Sequence, residues 1–159
     1  MSGSGTSPAS PIRVLFVCTH NSARSQIAEA LLGKLGGRRF EAHSAGTEAT
    51  RVNPFAELVL TEAGIDWSQA RSKVIDEFLG ERFDYVVTVC DRANETCPYF
   101  PGSTHRLHWS LDDPSGTQGT DEDKLAAFRR TAGEVEDRLR PFIAEALATA
   151  GAESRGTRS

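Results

Sequence analysis

Residues 12–32 read IRVLFVCTHNSARSQIAEALL. The opening IRVLFV, residues 12–17, is a β-rich apolar run that stops abruptly at polar residues, the signature of a buried strand. From Ser22 onward Ile27, Leu31, Leu32 and Leu35 fall on one helical face, and Gly36-Gly37 stops the helix. This stretch therefore predicts strand, tight loop and helix in direct succession, which is the first step of an alternating α/β chain.

The pattern repeats downstream. A strand is expected around 40–44, closed by a turn at Ala45-Gly46. Asn53 is a suitable N-cap with Pro54 at the first helical position, and Phe55, Leu58 and Val59 carry that helix toward Gly64. A short helix is expected over 74–79, a buried strand over 85–89 (YVVTV), and a weaker strand over 104–109, interrupted by His105, Arg106 and His108. Leu125, Phe128, Ala132, Val135, Leu139, Phe142 and Ala146 recur at three- to four-residue spacing, as an amphipathic helix requires. Pro141 is expected to kink that helix, because it has no N–H for the Asp137 carbonyl. The whole reads as one α/β domain over residues 11–150, a four-stranded parallel sheet with helices on both faces.

Composition narrows the possibilities. The chain has 159 residues, 38% of them hydrophobic, which suits a single globular domain and excludes a largely disordered one. A net charge of −4 is a poor match for a nucleic-acid binder. The apolar run from Val14 to Cys18 falls far short of the roughly 20 residues that cross a bilayer, so no membrane association is expected. Residues 1–10 are Gly/Ser-rich without the basic-then-apolar pattern of a secretory signal, and 151–159 are polar; both are expected to be flexible tails. Three cysteines, Cys18, Cys90 and Cys97, argue against a disulfide scaffold and for a reducing, cytoplasmic setting.

The loop between the first strand and helix, Cys18-Thr19-His20-Asn21-Ser22-Ala23-Arg24-Ser25, is placed to bind an anion. Successive backbone N–H groups can turn toward one point there, and the helix start adds unsatisfied donors and partial positive charge. Arg24, six positions after Cys18, can fold over the cradle and bind two oxygens of a tetrahedral anion. The same field favours the thiolate of Cys18, the form that acts as nucleophile.

With its flanks, VLFVCTHNSARSQIAEALL, this C-x5-R segment resembles the low-molecular-weight protein tyrosine phosphatases. The resemblance implies that Asn21 holds the loop by hydrogen bonds and that Ser25 supports the thiolate. His20 stands where phosphatase relatives commonly have Gly; His tolerates positive φ better than most non-Gly residues, which keeps the loop feasible, but the substitution argues against a pure phosphatase. The Asp113-Pro114 step resembles the D-P loop of that superfamily, whose Asp protonates a departing oxygen as general acid. Asp112 competes for the role, and the restriction that proline places on its predecessor favours Asp113.

The segment Cys90-Asp91-Arg92-Ala93-Asn94-Glu95-Thr96-Cys97 points away from simple phosphoryl transfer, which needs one cysteine. Reducing arsenate, a phosphate-like tetrahedral anion, to arsenite takes two electrons, which two thiols supply on forming a disulfide. In one intact helix, Cys90 and Cys97 would be separated by about 10.5 Å of rise, whereas a disulfide needs Cα atoms roughly 4.4–6.8 Å apart. A bond between them would require the segment to unwind.

From about Ile12 to Leu147 the chain is similar to the thioredoxin-coupled arsenate reductases. That resemblance implies a relay: Cys18 attacks arsenic with Asp113 assisting loss of water, Cys90 attacks Cys18 and releases arsenite, and Cys97 attacks Cys90. Thioredoxin, or another thiol, would then reduce the Cys90–Cys97 bond, with no tightly bound cofactor. Ala23 occupies a position where some relatives carry an extra cysteine. Some relatives bind potassium with an acidic residue that aligns with Lys73; Asn21, Glu29 and Ser44 match other positions of that site. A lysine cannot ligate a cation but its ammonium can supply the charge, so no bound potassium is expected.

The remaining readings are plainer. His43, His105 and His108 show no defensible metal-ligand spacing. Trp67 and Trp109 are expected to pack in or near the core, and Asp121-Glu122-Asp123 to favour the start of the last helix. The alternatives are a tyrosine phosphatase with Cys90 and Cys97 as passengers, a reductase resolved by a small thiol such as mycothiol or glutathione, and a non-catalytic anion sensor. A monomer is expected.

Overall fold

A computed structural model describes residues 10–97, 100 and 105–156. Residues 1–9, Thr104 and residues 157–159, to which tails and the start of a strand were assigned, lie outside the described residues.

The first strand, β1 (Ile12–Cys18), leads through the loop into α1 (Arg24–Gly36), a short 3-10 turn and β2 (Phe40–Gly46). Then come α2 (Pro54–Glu62), a 3-10 turn (Ile75–Phe78), β3 (Tyr85–Thr88), α3 (Asp91–Thr96) and β4 (His105–His108). A last 3-10 turn (Pro114–Gly116) precedes α4 (Asp121–Gly156). The strands form one parallel sheet in the order β2-β1-β3-β4.

This order determines where a site can lie. The chain moves one way from β1 to β2 and the opposite way from β3 to β4. Right-handed crossovers therefore put α1 and α3 on opposite faces. The order reverses between β1 and β3, and the crevice outside their carboxyl ends is where α/β sheets bind ligands. Cys18 ends β1, and Cys90 lies two residues beyond the end of β3.

The core has two sides. On one, Phe142 of α4 packs against Phe40, Tyr85 and Trp109, and Trp109 meets Phe16. On the other, Phe83 meets Phe78 and Phe100, with His43 against both Phe78 and Phe83. The cap expected at Asn53 is present: its Oδ1 accepts from the Phe55 N–H at 2.8 Å. The last helix opens with a reciprocal pair, Thr120 N–H to Asp123 Oδ2 at 3.0 Å and Asp123 N–H to Thr120 Oγ1 at 3.1 Å.

Two local expectations change. The segment expected as a helix over 74–79 is a 3-10 turn, Ile75–Phe78. Residues 151–156, expected in a polar tail, instead continue α4 to Gly156, with Pro141 inside the helix. Pro141 and Asp137 are both exposed, so water can take the hydrogen bond that the ring cannot supply.

Candidate active site

Asn21 is the keystone of the loop. It is fully buried, and it is the residue with positive φ, 51°, among the described non-glycine residues. The left-handed turn of the loop is thus taken by a short amide side chain that tolerates this conformation. The Asn21 N–H donates to Cys18 Sγ at 3.2 Å. Its Nδ2 donates to Ser25 Oγ and Ser44 Oγ, both at 2.9 Å, while Oδ1 accepts from the Lys73 N–H at 2.8 Å and Gln26 Nε2 at 2.9 Å. Every polar capacity of the amide is used, which holds the loop in one conformation.

Cys18 Sγ lies 2.8 Å from Ser25 Oγ and is 3% exposed. Gln26, which sequence reasoning passed over, supports the loop from beneath. Fully buried, it donates from Nε2 to the Asn21 and Arg71 carbonyls and accepts at Oε1 from the Trp67 indole at 2.8 Å. Gly46, paired with Cys18 in the β1–β2 register, has no room for a side chain. A Cβ there would lie 2.6–2.7 Å from the Glu48 carbonyl, the Asn21 nitrogen and the Thr19 carbonyl.

Arg24 donates from Nη1 to the Leu111 carbonyl at 2.9 Å, and its Nη2 lies 3.6 Å from Asp113 Oδ2. Asp113 Oδ1 accepts from the Ser115 N–H at 3.0 Å and the Ser115 hydroxyl at 2.6 Å. Burial pulls the Asp113 carboxyl upward, but the two Ser115 hydrogen bonds and the charges of Arg24 and His20 outweigh it and hold it below its ordinary value. His20 is exposed at the rim, 3.5 Å from Glu48.

The other two cysteines bound one short helix. Cys90 is the N-cap of α3 and Cys97 its C-cap; all three thiols are free and buried. The Val89 N–H donates to the Val17 carbonyl at 2.9 Å, so β1 and β3 deliver Cys18 and Cys90 side by side. Cys90 Sγ lies 3.3 Å from Thr19 Oγ1 and accepts from the Ala93 N–H at 3.4 Å. Burial pushes the Cys97 thiol up, opposed by the charge of Arg106. With α3 formed, Cys90 and Cys97 stand at its opposite ends.

Lys73 sits where the sequence resemblance suggested a cation. Its Nζ donates to Glu29 Oε1 at 3.2 Å, and the Ser44 hydroxyl donates to the same oxygen. An ammonium already meets this carboxylate and carries no lone pair for a metal, so these residues do not fit a potassium ion. Among the described residues, no group of three His, Cys, Asp or Glu side chains is placed to hold a metal ion. The histidines have other contacts: His43 meets Glu41, His105 stacks on Tyr85, and His108 meets Thr88 and Asp91.

The Cys18 thiol, a loop turned by a buried amide and an arginine at a helix start come together at the carboxyl end of the sheet, an arrangement that can receive an oxyanion. Residues 13–153 match the low molecular weight phosphotyrosine protein phosphatase family. The chain belongs to that family. Within it, the chain is 44% identical to an arsenate reductase of Halalkalibacterium halodurans over 129 residues, 81% of this chain and 93% of that protein. A solved arsenate reductase in the phosphate-binding state superposes with a TM-score of 0.74 at 34% identity, covering 84% of this chain and 98% of that one. A thioredoxin-dependent arsenate reductase of Corynebacterium glutamicum matches with a TM-score of 0.62 at 32% identity, covering 87% of this chain and 65% of that one. Among the described residues, no helix is long and apolar enough to cross a membrane.

Proposed function

We propose that this family member is an arsenate reductase that works by a Cys18–Cys90–Cys97 thiol relay. The observation that carries the reading is that the adjacent strands β1 and β3 lead to Cys18 and Cys90, with Thr19, the residue after Cys18, 3.3 Å from Cys90 Sγ. A hydrolytic phosphatase has no use for a second thiol in that place.

The cradle suits a tetrahedral oxyanion: loop N–H groups, the start of α1 and Arg24 all present positive charge to it. Cys18 is the nucleophile, supported by the Asn21 N–H and the Ser25 hydroxyl. Asp113 is the proton donor for the oxygen lost as water when the sulfur–arsenic bond forms. Arg24 is its neighbour in the resting site, and a bound anion that engages Arg24 removes that pull on the carboxyl and favours the protonated form. The Cys90 thiolate then attacks Cys18 Sγ; the sulfur–arsenic bond breaks, its electron pair passes to arsenic, and arsenite leaves. Cys97 attacks Cys90, forming the Cys90–Cys97 disulfide and freeing Cys18. Thioredoxin is the reductant we favour, in keeping with the Corynebacterium relative, and a reducing cytoplasm suits three free thiols. The Lys73 ammonium supplies the charge that a potassium ion would bring.

The test is arsenate reduction with thioredoxin, thioredoxin reductase and NADPH for the parent and for Cys18→Ser, Cys90→Ser and Cys97→Ser. Loss of turnover in all three is expected. Normal turnover of Cys97→Ser overturns the relay and favours a small-thiol route. Hydrolysis of an aryl phosphate, lost only in Cys18→Ser, together with no arsenate reduction by the parent, would make the protein a phosphatase.

A further inference from the structure

The helix between Cys90 and Cys97 has six residues, too few to be stable alone, because helix nucleation costs more than one turn returns. Its persistence depends on what holds its ends. Both ends are held by β4. Arg106 and His108 are two apart on that strand and so share a face, the more exposed one. Arg106 Nη1 donates to the Cys97 carbonyl at 3.3 Å, where the helix stops. His108 Nε2 lies 2.8 Å from Oδ1 of Asp91, where the helix starts.

The His108 end is built in depth. Its Nδ1 lies 2.8 Å from Oγ1 of Thr88, a fully buried residue of β3, so the ring is oriented from inside the sheet. Asp91 Oδ1 also accepts from the Ser110 hydroxyl at 3.1 Å. Being acceptor-only, the carboxylate accepts a hydrogen bond from Nε2–H. The Asp91 carboxyl is held below its ordinary value, chiefly by His108 and then by Ser110.

We propose that this face of β4 is a clasp on the redox helix: His108, through Asp91, and Arg106, through the Cys97 carbonyl, are positioning residues that favour the reduced, helical segment and set the cost of opening it. The inference rests on the relay proposed above. In that step the Cys97 thiolate attacks Cys90 Sγ of the Cys18–Cys90 disulfide. The Cys90–Cys97 bond forms, the bond to Cys18 breaks, and Cys18 leaves as a thiolate with no net change in electrons. The clasp contacts belong to the helical form, which cannot bring the two thiols within bonding distance. Loosening the clasp therefore favours the disulfide.

The experiment uses the full chain carrying Cys18→Ser, so that Cys90 and Cys97 are the only thiols. It is equilibrated with reduced and oxidised dithiothreitol, whose disulfide accepts the two electrons and two protons of the thiol pair. The disulfide fraction is read by acid quench, alkylation and mass mapping. His108→Asn keeps an amide at the level of Nδ1, facing Thr88, but is too short to reach Asp91. Asp91→Ala removes the other partner, which is 77% exposed and leaves the core intact. Both variants should shift the equilibrium about two- to fivefold toward the disulfide, the range of a partly exposed polar contact. Amides of 93–97 in the reduced protein should exchange faster in both, with those of β1 unchanged. An unchanged equilibrium in His108→Asn overturns the clasp, as does a shift in His108→Asn that Asp91→Ala does not share. No Cys90–Cys97 disulfide at any buffer ratio in the Cys18→Ser parent would instead overturn the relay.

Discussion

The hydroxyl of Ser25 stands 2.8 Å from the sulfur of Cys18, and the same oxygen accepts a hydrogen bond from Asn21 Nδ2 at 2.9 Å. A Cys18 thiolate can only accept, so toward it the serine supplies its one proton. Ser25→Ala should lower kcat for arsenate reduction about tenfold or more, the worth of a hydrogen bond to a charged group. Single-turnover trapping of the Cys18 adduct measures it, and a rate within twofold of the parent would show that the serine does not support the thiolate.

Gly46 carries a different demand. All three atoms that a Cβ would strike are backbone atoms of the loop or its neighbour, so no side chain can swing aside. Gly46→Ala should cost about 1–3 kcal/mol of stability, as overpacking does, and should weaken phosphate or arsenate binding more than tenfold. Denaturant unfolding and competition binding check the two effects. Preserved anion affinity would mean that the loop tolerates displacement.

Lys73 and Glu29 form a mostly hidden pair, 14% and 17% exposed at their side chains. Lys73→Met should destabilise the protein by about 2–4 kcal/mol, because a shielded carboxylate loses its counter-charge. The parent should melt at the same temperature in potassium and sodium chloride of equal strength. A potassium-specific rise in the parent's Tm would show that a cation binds there after all.

Acid should loosen the sheet edge at Glu41. Hydrogen bonds from His43, then Arg13, hold its carboxyl below the ordinary 4.5, against the opposing pull of burial. A carboxylate depressed in the folded state stabilises it above the unfolded value and loses that contribution as pH falls through the folded one. Stability should therefore fall as pH drops below about 4.5, and Glu41→Gln should flatten that limb. Urea midpoints for both proteins at neutral pH and about pH 3.5 measure the difference. Parallel losses in parent and variant would remove Glu41 from the acid response.

Much of this was legible along the chain. The strand–loop–helix step, the four strands and the Asn53 cap follow from local periodicity and local hydrogen-bonding habits. Cys18 and Arg24 could be marked from their spacing between a strand and a helix, and Asp113, Cys90 and Cys97 from the family resemblance that their flanking residues carry. What stayed hidden depends on pairing between distant residues. Gln26 reads as an ordinary helical polar residue until Trp67, Arg71 and Asn21 are brought around it. His108 reads as an interruption in a weak strand until Asp91 meets it. Which loop residue takes the positive φ is likewise set by the buried amide network, which places it on Asn21.

The sequence by itself determined the alternation of strand and helix, the tight loop that joins the first strand to the first helix and three thiols in suggestive places, because each is written in a few neighbouring residues. Only the tertiary structure decided that β1 and β3 lie side by side, putting Cys18 and Cys90 at one switch point, and that β4 grips both ends of α3. Those outcomes depend on strand order, and strand order is set by how whole faces bury against one another. No single stretch of chain carries that information.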